Sequence, residues 1–330
     1  MQEKDIAQQN TFSSRKLLSD KEFRKKRIIA TGGKGGVGKT TTASALALYF
    51  AEHETQETLI VSSDPTPSLS DIFEQELGLK ITPIIGVKHL HGHEMKREEI
   101  VRAWKERFGN EIYEVVRSYL PVEREIVDYV AEAPGIADEQ FMLAYLLDLY
   151  ETGKFEKIIW DTAPAGATLS LLKLESRFYD HLTDAANLYI RMRSYFERLS
   201  EKFRRKRKRS ALDIINQWKD LADQVMATMR NSDLMEFVVI TIPEGLGVSQ
   251  TDRVVKELND YGIGIRHIVV NNVIPFIEVG HSEFLDSRYQ VQRSYLDQLT
   301  KKYNGMLTIV PLLPQEVKGI EALRTIYGFL

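Results

Sequence analysis

Cysteine is absent from all 330 residues. That excludes disulfides, thiolate metal ligands, iron–sulfur ligation and cysteine nucleophiles, and it suits a reducing compartment. Long hydrophobic runs are missing too: none approaches the roughly 18 residues that a membrane span requires. The basic, polar N-terminus holds no apolar stretch of the signal-peptide kind. Neither sign of charge dominates, with 44 basic and 47 acidic residues and a net charge of −3, which argues against a chain devoted to nucleic acid. Internal repeats and low-complexity segments are not found. Together these absences predict a cytoplasmic protein, with at most a peripheral hold on a membrane. A chain of this length buries about three quarters of its unfolded surface and needs no covalent staple.

The most informative stretch follows a charged leader. The β-branched run Arg27-Ile-Ile-Ala-Thr31 leads into Gly33-Lys34-Gly35-Gly36-Val37-Gly38-Lys39-Thr40, with Thr41 next and an apolar helix pattern from Ala43 to Phe50. The spacing fits G-x-x-x-x-G-K-[ST], in which glycines let backbone N–H groups close around phosphate oxygens. In such a loop Lys39 meets the β- and γ-phosphates and the Thr40 hydroxyl binds Mg²⁺. A helix starting there aims its positive end at the anion. The reading is a nucleoside triphosphate site with bound Mg²⁺.

Short β-rich runs recur between helical patterns, at 27–31, 58–62, 157–160, 236–241, 267–270 and 307–310. Most are continuously apolar, as strands buried on both faces are. Their alternation with helices predicts an α/β fold with a doubly wound, mostly parallel sheet. Two gaps in the series are helical instead. Ile100, Trp104, Phe108, Ile112, Val116 and Leu120 repeat every four residues, and 141–150 is apolar nearly all round. Further on, seams through 185–203 and 211–229 predict an antiparallel hairpin tipped by the basic run Arg204–Arg209. The expected organisation is a polar, disordered or loosely docked leader over 1–26, then a P-loop domain over 27–330 carrying an α-helical subdomain inserted at about 97–150 and 181–232.

Asp64 and Asp161 both follow predicted parallel strands, where ligands bind in open α/β sheets. One suits Mg²⁺ held through water and the other suits orientation of the attacking water; capping of the following helix is the plainer alternative for each. His89, His91 and His93 alternate, which would put three imidazoles on one strand face. A metal site is conceivable there, but an ordinary strand at the edge of the core is the preferred reading. The stripe Val317, Ile320, Leu323, Tyr327 and Leu330 reads as a helix packed on the sheet, with a membrane-anchoring helix as the alternative.

The motifs in order resemble those of the arsenite-pump and tail-anchored-protein-targeting ATPases, relatives of the MinD/ParA group. The likeness rests on Gly33–Thr40, Asp64-Pro with Ser68-Leu-Ser-Asp71, Pro134-Gly-Ile-Ala-Asp-Glu139, Asp161-Thr-Ala-Pro, Val270-Asn271 and Pro311-Leu-Leu-Pro314. The resemblance implies a homodimer in which Lys34 reaches the partner's nucleotide, Asp64 positions the hydrolytic water and Asp161 holds Mg²⁺ through water. It also implies that Asn271 reads adenine beside Pro314. By the same resemblance a hydrophobic membrane-protein helix is the client, shielded in an apolar groove lined partly by Phe141, Met142, Tyr145, Leu146 and Leu149. A membrane receptor or an anionic membrane surface would be a further partner.

The departures are equally specific. Pro67, Ala167 and Ser170 replace His, His and Arg of the switch segments, so slow hydrolysis by a nucleotide binder is another reading. Ser282 and Leu285 stand where the targeting factors carry a zinc-binding Cys-x-x-Cys, so no zinc is expected. Two other activities stay open: energising an arsenite-like anion pump, and positioning on membrane or DNA in the MinD/ParA manner.

Overall fold

The computed structural model describes residues 16–64, 68–78, 80–118, 123–132, 137–162 and 211–330. Within it, eight strands form one sheet in the order β3-β4-β2-β5-β1-β6-β7-β8. They are β1 (Ile28–Gly33), β2 (Thr58–Ser62), β3 (Thr82–Pro83), β4 (Leu90–Glu94), β5 (Lys157–Asp161), β6 (Met235–Thr241), β7 (His267–Val273) and β8 (Leu307–Pro311). Every pairing is parallel except β3 against β4. All residues of β1, β2, β5 and β6 are buried, which is why these strands read as unbroken apolar runs. The α/β, mostly parallel P-loop architecture expected from the sequence is the one observed.

The described helices are α1 (Lys21–Arg24), α2 (Lys39–His53), α3 (Leu69–Phe73), α4 (Arg97–Arg117), α5 (Ile126–Glu132), α6 (Ala137–Glu151), α7 (Ala211–Arg230), α8 (Gly245–Asp260), α9 (Glu283–Lys302) and α10 (Gly319–Phe329). The chain divides into two compact units. One holds Met1–Lys96, Leu149–Leu169 and Met229–Leu330, and with them the whole sheet. The other holds Arg97–Asp148 and the described part of Ser170–Thr228. Inside this second unit Trp104 and Ile112 are buried, the Trp218 indole donates to Glu111 at 2.7 Å, and Arg107 pairs with Asp148. The seam expected at 185–203 and the basic run Arg204–Arg209 lie outside the described residues.

The leader requires a correction. Residues 17–24 do not trail loosely: they form a turn of 3-10 helix and α1, with Leu17 and Phe23 wholly inside the core. Asp20 caps α1 by accepting from the Glu22 and Phe23 N–H groups. The buried Lys157 ammonium donates to the Arg24 and Lys26 carbonyls. Three apolar side chains among many charges were enough to dock the arm, and a composition average over 1–26 hides them.

The histidine trio also resolves. His89 precedes β4 in the left-handed region (φ 62°) and its Nδ1 lies 2.6 Å from Glu57, so only His91 and His93 share a strand face. Burial pushes the His93 imidazole down to about 4, keeping it neutral. Among the described residues no group of three metal-ligating side chains assembles. β4 lies one strand in from the sheet edge, with the two residues of β3 outside it.

The C-terminal stripe is core. Leu323, Ile326 and Leu330 join the same cluster as the α2 residues Leu46, Ala47 and Phe50. Arg324 and Tyr327 reach Glu52 at 2.6 and 3.0 Å, and the Leu330 carbonyl accepts from the Leu18 N–H. Leu323 is fully buried. Leu323→Ala is therefore expected to destabilise the protein by about 2–5 kcal/mol, as leucine truncations in cores do; thermal denaturation measures it. A membrane-anchoring residue would instead lose liposome binding with its midpoint unmoved. No described helix is long and apolar enough to cross a membrane.

Candidate functional site

The sheet builds the site at the C-terminal ends of its central strands, where β1 runs into α2. Gly38 takes φ 93° and caps α2, a conformation that costs residues with a Cβ. A Cβ there would also lie 2.2 Å from the Asn271 amide nitrogen. Asn271 needs that closeness, because its Nδ2 donates to the Val37 carbonyl at 3.0 Å and holds the loop. A bulge in β7 between Val270 and Val273 re-aims this stretch, as bulges do, and leaves Asn272 in the left-handed region. Gly38→Ala is expected to weaken nucleotide binding at least about tenfold, since strain and steric clash act at one atom. Titration with a fluorescent ATP analogue gives the number.

Lys39 is buried, yet its ammonium reaches the Lys34 carbonyl at 3.4 Å and the Asp64 carboxylate at 3.9 Å. It thus spans the loop mouth where an anion would sit. The Lys34 side chain is half-buried. Around Lys39 and Thr40 opens a pocket of about 800 Å³, walled also by Asp64, Ser68, Asn271, Asn272 and Pro314. The structure therefore brings the P-loop and Asp64 together with Asn271 and Pro314, which lie more than 200 residues further along the sequence.

Asp161 lies beneath the loop and is fully buried. Its Oδ2 accepts from the Thr40 hydroxyl at 2.8 Å and from the Ser62 hydroxyl at 3.1 Å. Burial pushes its carboxyl up to about 6; the Thr40 hydrogen bond and the Lys39 charge pull the other way without cancelling it. The donors gathered here, two hydroxyls and a carboxylate, are hard oxygens, the chemistry of a small divalent cation such as Mg²⁺. A cation beside Asp161 would also supply the charge its burial lacks. The fit is good.

Sequence reading missed the hydroxyls that organise this centre. Ser62 donates to Asp161 and accepts from the Asp64 N–H at 3.3 Å, bridging the two carboxylate residues. Ser68 Oγ stands 3.1 Å from Thr40 Oγ1. A hydroxyl closing an apolar strand, as in Ser62, was the one available signal. Pro67, Ala167 and Ser170 lie outside the described residues, as do Pro134, Gly135 and Ile136. Ser282 caps α9 and Leu285 belongs to its first turn; neither offers a zinc ligand.

The client-groove residues are placed differently from the Asp64 cluster. Met142, Leu146 and Leu149 are buried at 2, 4 and 7 % exposure, Tyr145 is half-buried, and the Phe141 side chain is outside the described set. In this conformation the stripe sits inside the protein, as a plain core would.

A family described as anion-transporting ATPase matches residues 26–330. The chain is similar to ATPase ASNA1 homolog 1 of Paramecium tetraurelia, at 32% identity over 310 residues covering 90% of this chain and 89% of that protein. It is similar to ATPase GET3A of Arabidopsis thaliana, at 33% over 300 residues covering 90% and 81%. ATPase GET3 of Komagataella phaffii is 28% identical over 311 residues, covering 92% and 89%.

Proposed function

The chain belongs to the anion-transporting ATPase family, and from that premise we propose that this ATP hydrolase drives tail-anchored membrane-protein targeting as a Mg²⁺-dependent homodimer. The observation that carries the catalytic half is the Thr40–Asp161–Ser62–Asp64 chain of contacts beneath the P-loop. The targeting half rests on similarity to proteins named ATPase GET3 across most of their length.

Each residue has a defined task. Backbone N–H groups from Gly35 to Thr41 and the positive end of α2 hold the phosphates. Lys39 neutralises developing charge as the terminal phosphoryl group departs, a transfer governed by positioning and electrostatics. Thr40 and Asp161 would hold Mg²⁺, Asp161 through water; the ion supplies further charge neutralisation at the phosphates. Asp64, at the pocket wall beside Lys39, orients the attacking water and takes its proton. Asn271 and Pro314 frame the adenine. Lys34 is assigned to the partner subunit's nucleotide, which makes hydrolysis depend on the dimer.

The client reading places an apolar helix against the helical subdomain, with 141–149 as part of the surface. Because Met142, Leu146 and Leu149 are buried here, ATP-driven rearrangement must turn them outward. Apolar area buried at about 25 cal/mol per Å² makes such a surface worth many kcal/mol to a membrane helix. A cytoplasmic location follows from this task. A pump for thiol-bound metalloid finds no thiol in this chain. Co-expression with a tail-anchored protein, followed by pull-down with and without ATP, tests the reading. Recovery of the intact client in ATP is expected; recovery that depends neither on ATP nor on the client's apolar helix would sink it.

A further inference from the structure

At the C-terminal edge of the sheet, four residues stand in one register row across adjacent strands: Glu94 of β4 opposite Ser62 of β2, Ser62 opposite Asp161 of β5, and Asp161 opposite Thr31 of β1. All four are polar, and none is more than 2 % exposed. Three belong to the Asp161 centre: Ser62 donates to Asp161 at 3.1 Å, and Thr31 stands 3.5 Å from its other oxygen. The fourth, Glu94, lies two strands from Asp161, outside the nucleotide pocket.

A buried carboxylate persists only where its oxygens are hydrogen-bonded, and Glu94 commits both to the start of α3. Oε1 accepts from the Leu69 N–H at 2.7 Å; Oε2 accepts from the Ser70 N–H at 3.3 Å and the Ser70 hydroxyl at 2.5 Å. Five residues of helix do not hold themselves. Leu69, Ile72 and Phe73 seat α3 in the core, and the Ser70 hydroxyl also bonds the Leu77 N–H and carbonyl. The carboxylate fixes the start of the helix. Ser68 immediately precedes it, and its hydroxyl meets Thr40 Oγ1 at 3.1 Å; Asp71, one turn on, lines the pocket.

We propose that Glu94 is a positioning residue for ATP hydrolysis, holding the start of α3 so that Ser68 is kept against Thr40. This rests on the assignment of Thr40, Asp64 and Asp161 made above. The pull is transmitted from Glu94 to Leu69 and Ser70, then through Ser68 to the Thr40 hydroxyl that also donates to Asp161. Glutamine at this position keeps shape and volume. Its amide would turn an N–H₂ toward a backbone N–H, so at least one of the three donors loses its acceptor.

The test uses the full chain. Glu94→Gln is expected to lower kcat at least about tenfold while the Kd for ADP stays within about twofold, a split that general loosening of the fold would not produce. Ser68→Ala should lower kcat as well. In Glu94→Gln/Ser68→Ala the two losses should not multiply, since residues acting through one contact are not additive. Multiplying losses, or an unchanged kcat in Glu94→Gln, would overturn the proposal. If Glu94→Gln does not fold, Ser70→Ala removes the 2.5 Å hydroxyl contact together with that hydroxyl's bonds to the Leu77 N–H and carbonyl, and an unaltered kcat there overturns it equally. Hydrogen exchange over 68–73 with a non-hydrolysable ATP analogue gives a readout independent of turnover. The wild type should gain protection that Glu94→Gln lacks. A wild type without hydrolysis but with this Glu94-dependent protection would remove the catalytic reading and leave the positioning intact.

Discussion

Asp64→Asn is expected to slow ATP hydrolysis by about 10²- to 10⁴-fold, the range that a positioned general base contributes, with nucleotide affinity nearly unchanged. The asymmetry follows from the geometry. Asp64 stands at the pocket wall, 3.9 Å from the Lys39 ammonium, beyond direct hydrogen-bond distance of it. Asparagine keeps the shape and can still orient a water through its oxygen, but it cannot accept the proton. Single-turnover hydrolysis and equilibrium binding of an ATP analogue separate the two effects. A rate within threefold of wild type would remove Asp64 from the mechanism and leave Lys39 and the dimer to carry it.

Asp161→Asn should do two things of opposite sign. Hydrolysis should fall by about 10³-fold, because charge stabilisation by a correctly held metal ion is worth several kcal/mol and each 1.36 kcal/mol is tenfold. The nucleotide-free protein should meanwhile become more stable at neutral pH. Burial raises the Asp161 pKa from 3.8 to about 6. Between those values the folded state holds more protons than the unfolded one, so stability falls as pH rises through that window. Above it the full penalty stands, about 3 kcal/mol by the usual conversion. Asparagine removes the charge and can still bond Thr40 and Ser62. Thermal midpoints of the two proteins should therefore converge near pH 4 and separate in favour of the variant near pH 7.5. A variant that melts lower at both pH values would show that Asp161 is held ionised by its neighbours and that burial is not the dominant influence.

Much of this was legible in the chain because phosphate binding by a P-loop is a local problem. Gly38, Lys39 and Thr40 lie within one turn between β1 and α2, so spacing alone announces the motif. Strands buried on both faces announce themselves in the same way, as 157–160 and 236–241 do. What escaped was contact between distant segments. Ser62 looks like any serine at a strand end until β2 and β5 pair in register. Glu94 looks like a surface carboxylate beside Lys96 until β4 joins the sheet and buries it. Leu17 and Phe23 were hidden inside a charged arm, and the 141–149 stripe, apolar all round, has the same spelling whether it lines a groove or fills a core.

By itself the sequence determined the loop, six of the eight strands and the chemistry the chain must do without, since each follows from residue type at short spacing. Only the tertiary structure decided which hydroxyls serve Asp161, that residues 17–24 and α10 are both built into the core around α2, and that a glutamate two strands away grips the helix next to the site. Hydrogen bonds across a parallel sheet join residues by register rather than by sequence distance, and register is set when the whole sheet packs.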